Sequence, residues 1–128
     1  MFVEPPIPKT ALVVDDSMLI RYTVCRFLEK RGFIVEAATN GLEAMEILSS
    51  FVPDVIITDL AMPHMAGAEL ISAVRVLDVF AQTPILVLAA RRSASGLSSE
   101  MPSGTAGVIF KDIDIEEQLG RALERTLA

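Results

Sequence analysis

The sequence predicts an α/β fold: a five-stranded parallel sheet with helices on both faces. Three observations predict it. Five short apolar stretches recur along the chain, and the first, Ala11 to Val14, is a continuous run that reads as a strand covered on both sides. Amphipathic stretches separate them, which makes five β-α units in a row. The core available is aliphatic, since apolar residues make up 52% of the 128 residues while aromatics are only 5% and Trp is missing.

Residues 1–9 read as an extended lead-in, because Pro5, Pro6 and Pro8 bar regular structure, and residues 10–128 as one domain. Ala11-Leu12-Val13-Val14 is the first apolar run and stops at Asp15-Asp16-Ser17. Ile20, Val24, Phe27 and Leu28 then fall on one helical face, with Gly32 as its stop. Phe33 to Ala38 reads as the second strand. Asn40 can cap a helix that places Ala44, Leu48 and Phe51 on one side, before Pro53 interrupts it. Val55-Ile56-Ile57-Thr58 is the third strand and runs into Asp59. After a loop with Pro63 and Gly67, Leu70, Val74 and Leu77 recur at helical spacing. Pro84 opens the fourth strand, Ile85 to Ala89. Ala94, Leu97 and Met101 have helical spacing too, but two Gly, five Ser and a Pro between residues 93 and 104 oppose a helix there. Gly107 to Phe110 is the fifth strand, ending at Lys111. A last helix from Ile115 aligns Leu119, Ala122, Leu123 and Leu127.

Composition removes several classes. A formal net charge of −6, with three Lys and eight Arg scattered apart from Arg91-Arg92, is not the footprint of a nucleic-acid binder. Cys25 stands alone, so an internal disulfide is excluded; it reads as a buried helix residue in a cytoplasmic protein. Met1 to Lys9 carries Glu4 and three prolines and does not read as a signal peptide. No apolar run reaches the roughly 18 residues that span a bilayer, so no membrane contact is expected.

The chemistry is expected at the carboxyl ends of the strands, where open parallel sheets bind ligands. Asp15-Asp16 ends the first strand, Asp59 the third and Lys111 the fifth. Three carboxylates brought together repel one another unless a cation neutralises them. All-oxygen donors with no His or Cys favour magnesium, manganese or calcium. A rim lysine can pair with a phosphoryl oxygen, and a carboxylate can be the nucleophile that forms an aspartyl-phosphate. Any one of these aspartates could merely end a strand or cap a helix; the whole set favours a cation-assisted phosphoryl site. Ser17 reads as a helix cap and His64 as a loop residue.

These residues resemble the receiver domains of two-component response regulators. The resemblance rests on Val13-Val14-Asp15-Asp16-Ser17, on the run from Ile57 to Gly67 with its D-x-x-M-P-x-M-x-G pattern from Asp59, and on Lys111. The intervals agree as well, with 43 residues from Asp16 to Asp59 and 52 from Asp59 to Lys111. It implies a doubly wound, flavodoxin-like three-layer sandwich with strand order 2-1-3-4-5. It implies Asp59 as phosphoacceptor and Lys111 as partner of the phosphoryl group or of Asp59. It implies a magnesium ion held by Asp16, Asp59 and the backbone carbonyl of Ala61, with Asp15 bound directly or through water. The donor would be a phosphohistidine on a sensor histidine kinase or a histidine phosphotransfer protein, and the output partner an unspecified protein or domain. A weak homodimer is left open. Such a protein is not an enzyme beyond its own aspartyl phosphorylation and dephosphorylation.

The chain departs from that family in four places. Ala89 stands where a Thr or Ser hydroxyl usually ends the fourth strand. Val108 stands where an aromatic usually precedes the lysine by three. Asp112 follows Lys111 in place of a proline in a cis peptide, and the helical stretch expected over residues 93–105 is poor in helix formers. The groups that accept phosphate are present while those that report it are missing, so an atypical switch is expected. The alternative is a pseudo-receiver, an interaction domain indifferent to phosphorylation. An aspartate-nucleophile phosphatase would need a second Asp where Ala61 stands, and a flavin site would need a small-residue phosphate loop where Asp15-Asp16-Ser17 stands.

Overall fold

The computed structural model describes residues 7–60, 62, 65–90 and 104–127. Its elements follow the expected alternation: β1 (Thr10–Val14), α1 (Met18–Lys30), β2 (Ile34–Ala38), α2 (Gly41–Leu48), β3 (Val55–Asp59), α3 (Gly67–Arg75), a short 3-10 turn (Asp78–Phe80), β4 (Ile85–Ala89), β5 (Gly107–Phe110) and α4 (Ile115–Leu127). The five strands form one parallel sheet in the order β2-β1-β3-β4-β5. The helical expectation over residues 93–105 lies almost wholly outside the described residues, as do His64 and most of the lead-in.

Alternation along the strands divides the core into two layers. Ala11, Val13, Val55, Ile57, Leu86, Leu88 and Ile109 face α1 and α4, against Val24, Leu28, Leu119 and Leu123. Leu12, Val14, Ile56, Ile85 and Val87 face α2 and α3, against Ala44, Leu48, Leu70, Ile71 and Val74. Covering both faces explains why β1 and β3 are apolar without a break, each residue from Ala11 to Val14 and from Val55 to Ile57 being 0% exposed. β2 lies at an edge, and its Ile34 is exposed.

Two helices are shorter than their apolar spacing suggests. α2 stops at Leu48, and Phe51 packs on the same core from the following loop. α3 stops at Arg75, whose guanidinium donates to the carbonyls of Phe80, Ala81 and Gly104 and so holds a turn where Leu77 was expected to extend the helix. The Lys111–Asp112 peptide is trans, there being no cis bond among the described residues. None of the described helices is long and apolar enough to cross a membrane.

Caps fix where helices start near the sheet's carboxyl edge. Ser17 Oγ accepts from the Ile20 N–H at 3.4 Å, as its cap reading requires. At α2 the Asn40 side chain accepts from Glu43 N at 2.9 Å, and Glu43 Oε1 accepts from Thr39 N at 2.7 Å and from the Thr39 hydroxyl at 2.8 Å. These bonds, the backbone one foremost, hold the exposed Glu43 carboxyl below its ordinary pKa. A depressed carboxylate stabilises the fold above its unfolded pKa and loses that contribution as pH falls through the folded value. Glu43→Gln is therefore expected to be less stable than the parent at pH 7 and to converge on it below about pH 4, as followed by urea midpoints across that range.

Candidate functional site

The carboxyl edge of the sheet gathers the four residues that the sequence places at strand ends. One carboxylate oxygen from each of Asp15, Asp16 and Asp59 lies within 4.8 Å of the others. Lys111 Nζ sits 3.0 Å from Asp15 Oδ2 and 3.0 Å from Asp59 Oδ2. Asp15 is 0% exposed and Asp59 5%, whereas Asp16 is exposed at the rim. Two carboxylates and one ammonium are thus drawn largely out of water, with the third carboxylate open to solvent.

Each group is held from its own element. The Asp15 N–H continues the β1–β2 ladder by donating to Ala38 O at 3.1 Å. Its Oδ1 accepts from Ser17 N at 2.8 Å, and Arg21 reaches back from α1 to donate to its carbonyl at 2.8 Å. Its Oδ2 is fully buried and, among the described residues, faces only the Lys111 ammonium, 3.0 Å away. Asp59 closes β3 opposite Leu88 of β4. Lys111 follows β5 directly, and its N–H donates to Ala89 O at 2.8 Å. Burial by itself would lower the lysine's pKa and is the largest single influence, but the hydrogen bonds and charges of Asp59 and Asp15 together outweigh it and raise it. Lys111 therefore stays an ammonium.

Three carboxylates against one ammonium leave two negative charges at the site. A divalent cation matches that charge, and the donors are hard oxygens gathered within 4.8 Å of one another. The residues present fit such an ion. Ala61, whose carbonyl the resemblance assigns as a further ligand, lies outside the described residues.

Gly67 explains the last letter of the D-x-x-M-P-x-M-x-G run. A Cβ there would overlap the carbonyl oxygen of Asp59 and the Leu60 Cα. The Gly67 N–H donates to Leu60 O at 2.9 Å, so the loop after Asp59 folds back tightly onto the strand end. Only a residue without a side chain permits that approach.

The residues from 11 to 123 match the family model of the response regulator receiver domain. The chain belongs to that family. This receiver domain is 36% identical over 110 residues to the response regulator MprA of Mycobacterium ulcerans, which covers 86% of the chain and 47% of that relative. It is 30% identical over 125 residues to the Regulator of RpoS of Escherichia coli K12, covering 98% of the chain and 36% of the relative. The chain thus spans about half or less of these curated relatives. Among solved structures, the chemotaxis response regulator CheY4 of Vibrio cholerae superposes with a TM-score of 0.83 at 35% identity, over 94% of this chain and 99% of that one.

Against that family background, the receiver domain's site has features that motif reading does not reach. Arg21 and Gln118 both brace it through backbone carbonyls, a role that no residue spacing announces. Gln118 on α4 accepts from Phe110 N at 2.9 Å and donates to Phe110 O at 3.0 Å and to Asp114 Oδ1 at 2.9 Å. Ala89 ends β4 beside the site with a methyl group only, one residue past the Leu88 that pairs with Asp59. Val108 lies in β5, half-buried, opposite Val87. Cys25 is only half-buried in α1, less than expected, because it flanks the core layer rather than pointing into it. Burial still pushes its thiol pKa up.

The Gly67 contact yields a direct check. Gly67→Ala is expected to cost about 1–3 kcal/mol, the usual range for forcing atoms into packed space, and to weaken divalent-cation binding by shifting Asp59. Chemical denaturation and a cation titration would show both, and an unchanged midpoint would refute the close-approach reading.

Proposed function

We propose that Asp59 of this receiver domain accepts a phosphoryl group from the phosphohistidine of a sensor histidine kinase or histidine phosphotransfer protein, with Mg2+ bound. The observation that supports this best is Lys111, whose Nζ lies 3.0 Å from both Asp15 and Asp59 beside a three-carboxylate cluster. In the transfer, an Asp59 carboxylate oxygen attacks phosphorus. The P–O bond forms as the P–N bond of the donor breaks, and the electron pair stays on the imidazole nitrogen. Lys111 neutralises a phosphoryl oxygen as Asp59 turns from carboxylate to acyl phosphate, and Asp15 keeps that ammonium aimed. Asp15, Asp16 and Asp59, with the Ala61 carbonyl, would hold the ion, which when bound neutralises charge on the phosphoryl oxygens. The domain supplies positioning and charge rather than turnover of a separate substrate, so its only catalysis is of its own phosphorylation and hydrolysis. A cytoplasmic setting follows from a kinase partner, and the output is a following domain or a separate protein.

Ala89 and Val108 favour a second statement about the response. Without a hydroxyl at residue 89, a phosphoryl group loses one donor, and a hydrogen bond to a charged group contributes about 1.5–3 kcal/mol. That is a large part of what biases a two-state switch. We propose that the domain is phosphorylated while the usual hydroxyl-and-aromatic switch does not operate. A pseudo-receiver, which works by protein contact alone, is the competing reading, and Ala89, Val108 and Asp112 are what favour it.

Two experiments divide these readings. Acetyl phosphate with Mg2+ should add about 80 Da, the mass of one phosphoryl group, seen by intact mass and lost with EDTA or in Asp59→Asn. A chain that gains no mass and binds no Mg2+ is a pseudo-receiver. Separately, beryllofluoride should shift the backbone resonances around Asp59 and leave Val108 unmoved, while Ala89→Thr should bind it about ten-fold tighter or more, as one added charged hydrogen bond implies. Movement of Val108 in the parent would sink the atypical-switch reading.

A further inference from the structure

We infer that Gln118 is a positioning residue for Lys111, setting the place of the ammonium through the backbone of Phe110; this rests on the phosphoacceptor reading above. β5 is the last of the described strands in the sheet, so no described strand pairs with the outward N–H and C=O of Phe110, and the C=O also accepts from Asp112 N at 2.8 Å. The Gln118 amide takes both, the N–H at 2.9 Å and the C=O at 3.0 Å. Its remaining amide proton goes to Asp114 Oδ1 at 2.9 Å, which fixes the orientation of the amide and leaves no alternative flip that satisfies all three partners.

The consequence reaches Lys111 because of what lies on each side of it. Residues 111–114 are the whole connection between β5 and α4. Gln118 ties the strand end to the first turn of the helix across that connection, closing it into a bracket. Inside the bracket, Lys111 N is pinned to Ala89 O at 2.8 Å and Asp112 N to Phe110 O at 2.8 Å. The Lys111 backbone is therefore fixed from the sheet side by Ala89 and from the helix side by Gln118. A lysine has four rotatable bonds with which to wander. To lie 3.0 Å from two carboxylates at once, its root must be stationary. The family resemblance places a proline after this lysine, a residue that stiffens the backbone; here Asp112 follows, and the Gln118 bracket supplies stiffness by hydrogen bonds.

Phe110 is only half-buried, so water can replace the lost bonds when Gln118 is removed. Loss of position should thus exceed loss of stability. The test uses acetyl phosphate and Mg2+ on four proteins: the parent, Gln118→Leu, Lys111→Ala and the double variant, with Gln118→Met in reserve should Leu fold poorly. Gln118→Leu is expected to lower the maximal phosphorylation rate about ten-fold, less than the hundred-fold that a displacement of roughly 1 Å can cost. Its acetyl phosphate KM and Mg2+ affinity should stay within about two-fold, because the carboxylates are untouched. In the Lys111→Ala background the same substitution should change nothing further, since it acts only through the lysine. Equal losses in both backgrounds, or an unaltered rate in Gln118→Leu, overturn the inference while leaving the phosphoacceptor reading intact. A parent chain that takes up no phosphoryl group at all fails that reading first, and this inference with it.

Discussion

Lys111 lies 3.0 Å from two carboxylates that come from different strands, and the architecture around it is what keeps those three groups in reach of one another. Asp15 is wholly buried and Asp59 nearly so. Without the ammonium they would be two adjacent anions largely cut off from water, an arrangement that proteins relieve by protonation or by a counter-ion. The ammonium suffers desolvation in turn, and the two aspartates more than compensate it. None of the three charges is tolerable alone at this place, so the trio stands or falls as a unit. The local charge still balances only in part. Two negative charges remain, and their location at the rim, where Asp16 is open to solvent, is where a cation can enter.

The sheet makes that meeting possible at little entropic cost. All five strands run parallel, so all five carboxyl ends lie along one edge, and residues separated by 43 and 52 positions arrive there as neighbours. The order β2-β1-β3-β4-β5 puts the ends of β1 and β3 side by side and leaves β4 between Asp59 and the strand that carries Lys111. Lys111 must therefore reach across the end of β4, and a long side chain at this position serves where a short one could not. It also makes the residue ending β4 consequential. Ala89 gives the lysine a hydrogen-bonded anchor through its carbonyl and presents only a methyl group to the site. The crossing is structurally complete while the hydroxyl usual at that position is missing.

The fold and the core of the site were legible because they depend on pattern. Uninterrupted apolar runs mark strands covered on both faces, and charged residues that end such runs fall on the ligand-binding edge by topology alone. What pattern could not show were contacts made by backbone groups or by a single side chain acting at a distance along the chain. Periodicity carried α3 to Leu77, but the helix ends at Arg75, whose side chain holds the following turn through the Phe80 and Ala81 carbonyls and reaches Gly104 O before β5. Phe51 keeps its place in the core although α2 ends three residues before it, because burial can be satisfied from a loop as well as from a helix. Arg21 and Gln118 carry no signature in the sequence, since their partners are chiefly backbone carbonyls and amides that other residues also have. Gly67 was visible as a motif letter, but its reason is the Asp59 carbonyl, which occupies the space a Cβ would take.

On the phosphoacceptor reading proposed above, the placements divide between acceptance and transmission. Acceptance of a phosphoryl group calls for charge and position at the edge, and those are over-determined: Asp15 is held by Ser17, Arg21 and the β2 ladder, and Lys111 is pinned through Ala89 with Phe110 clamped by Gln118. Transmission calls for the opposite, a group with two arrangements of similar energy that phosphate can choose between. Ala89 at the end of β4 and Val108 in β5 carry side chains with no polar atom to reorient. Ala89 has no rotamers, and Val108, branched at Cβ, is restricted to few. Rigidity at the acceptor and poverty of switching groups beside it are two expressions of one constraint. On the phosphoacceptor reading proposed above, no polar or aromatic side chain stands at residue 89 or 108 to turn toward the site, and the carbonyl of Ala89 is already engaged by the Lys111 N–H.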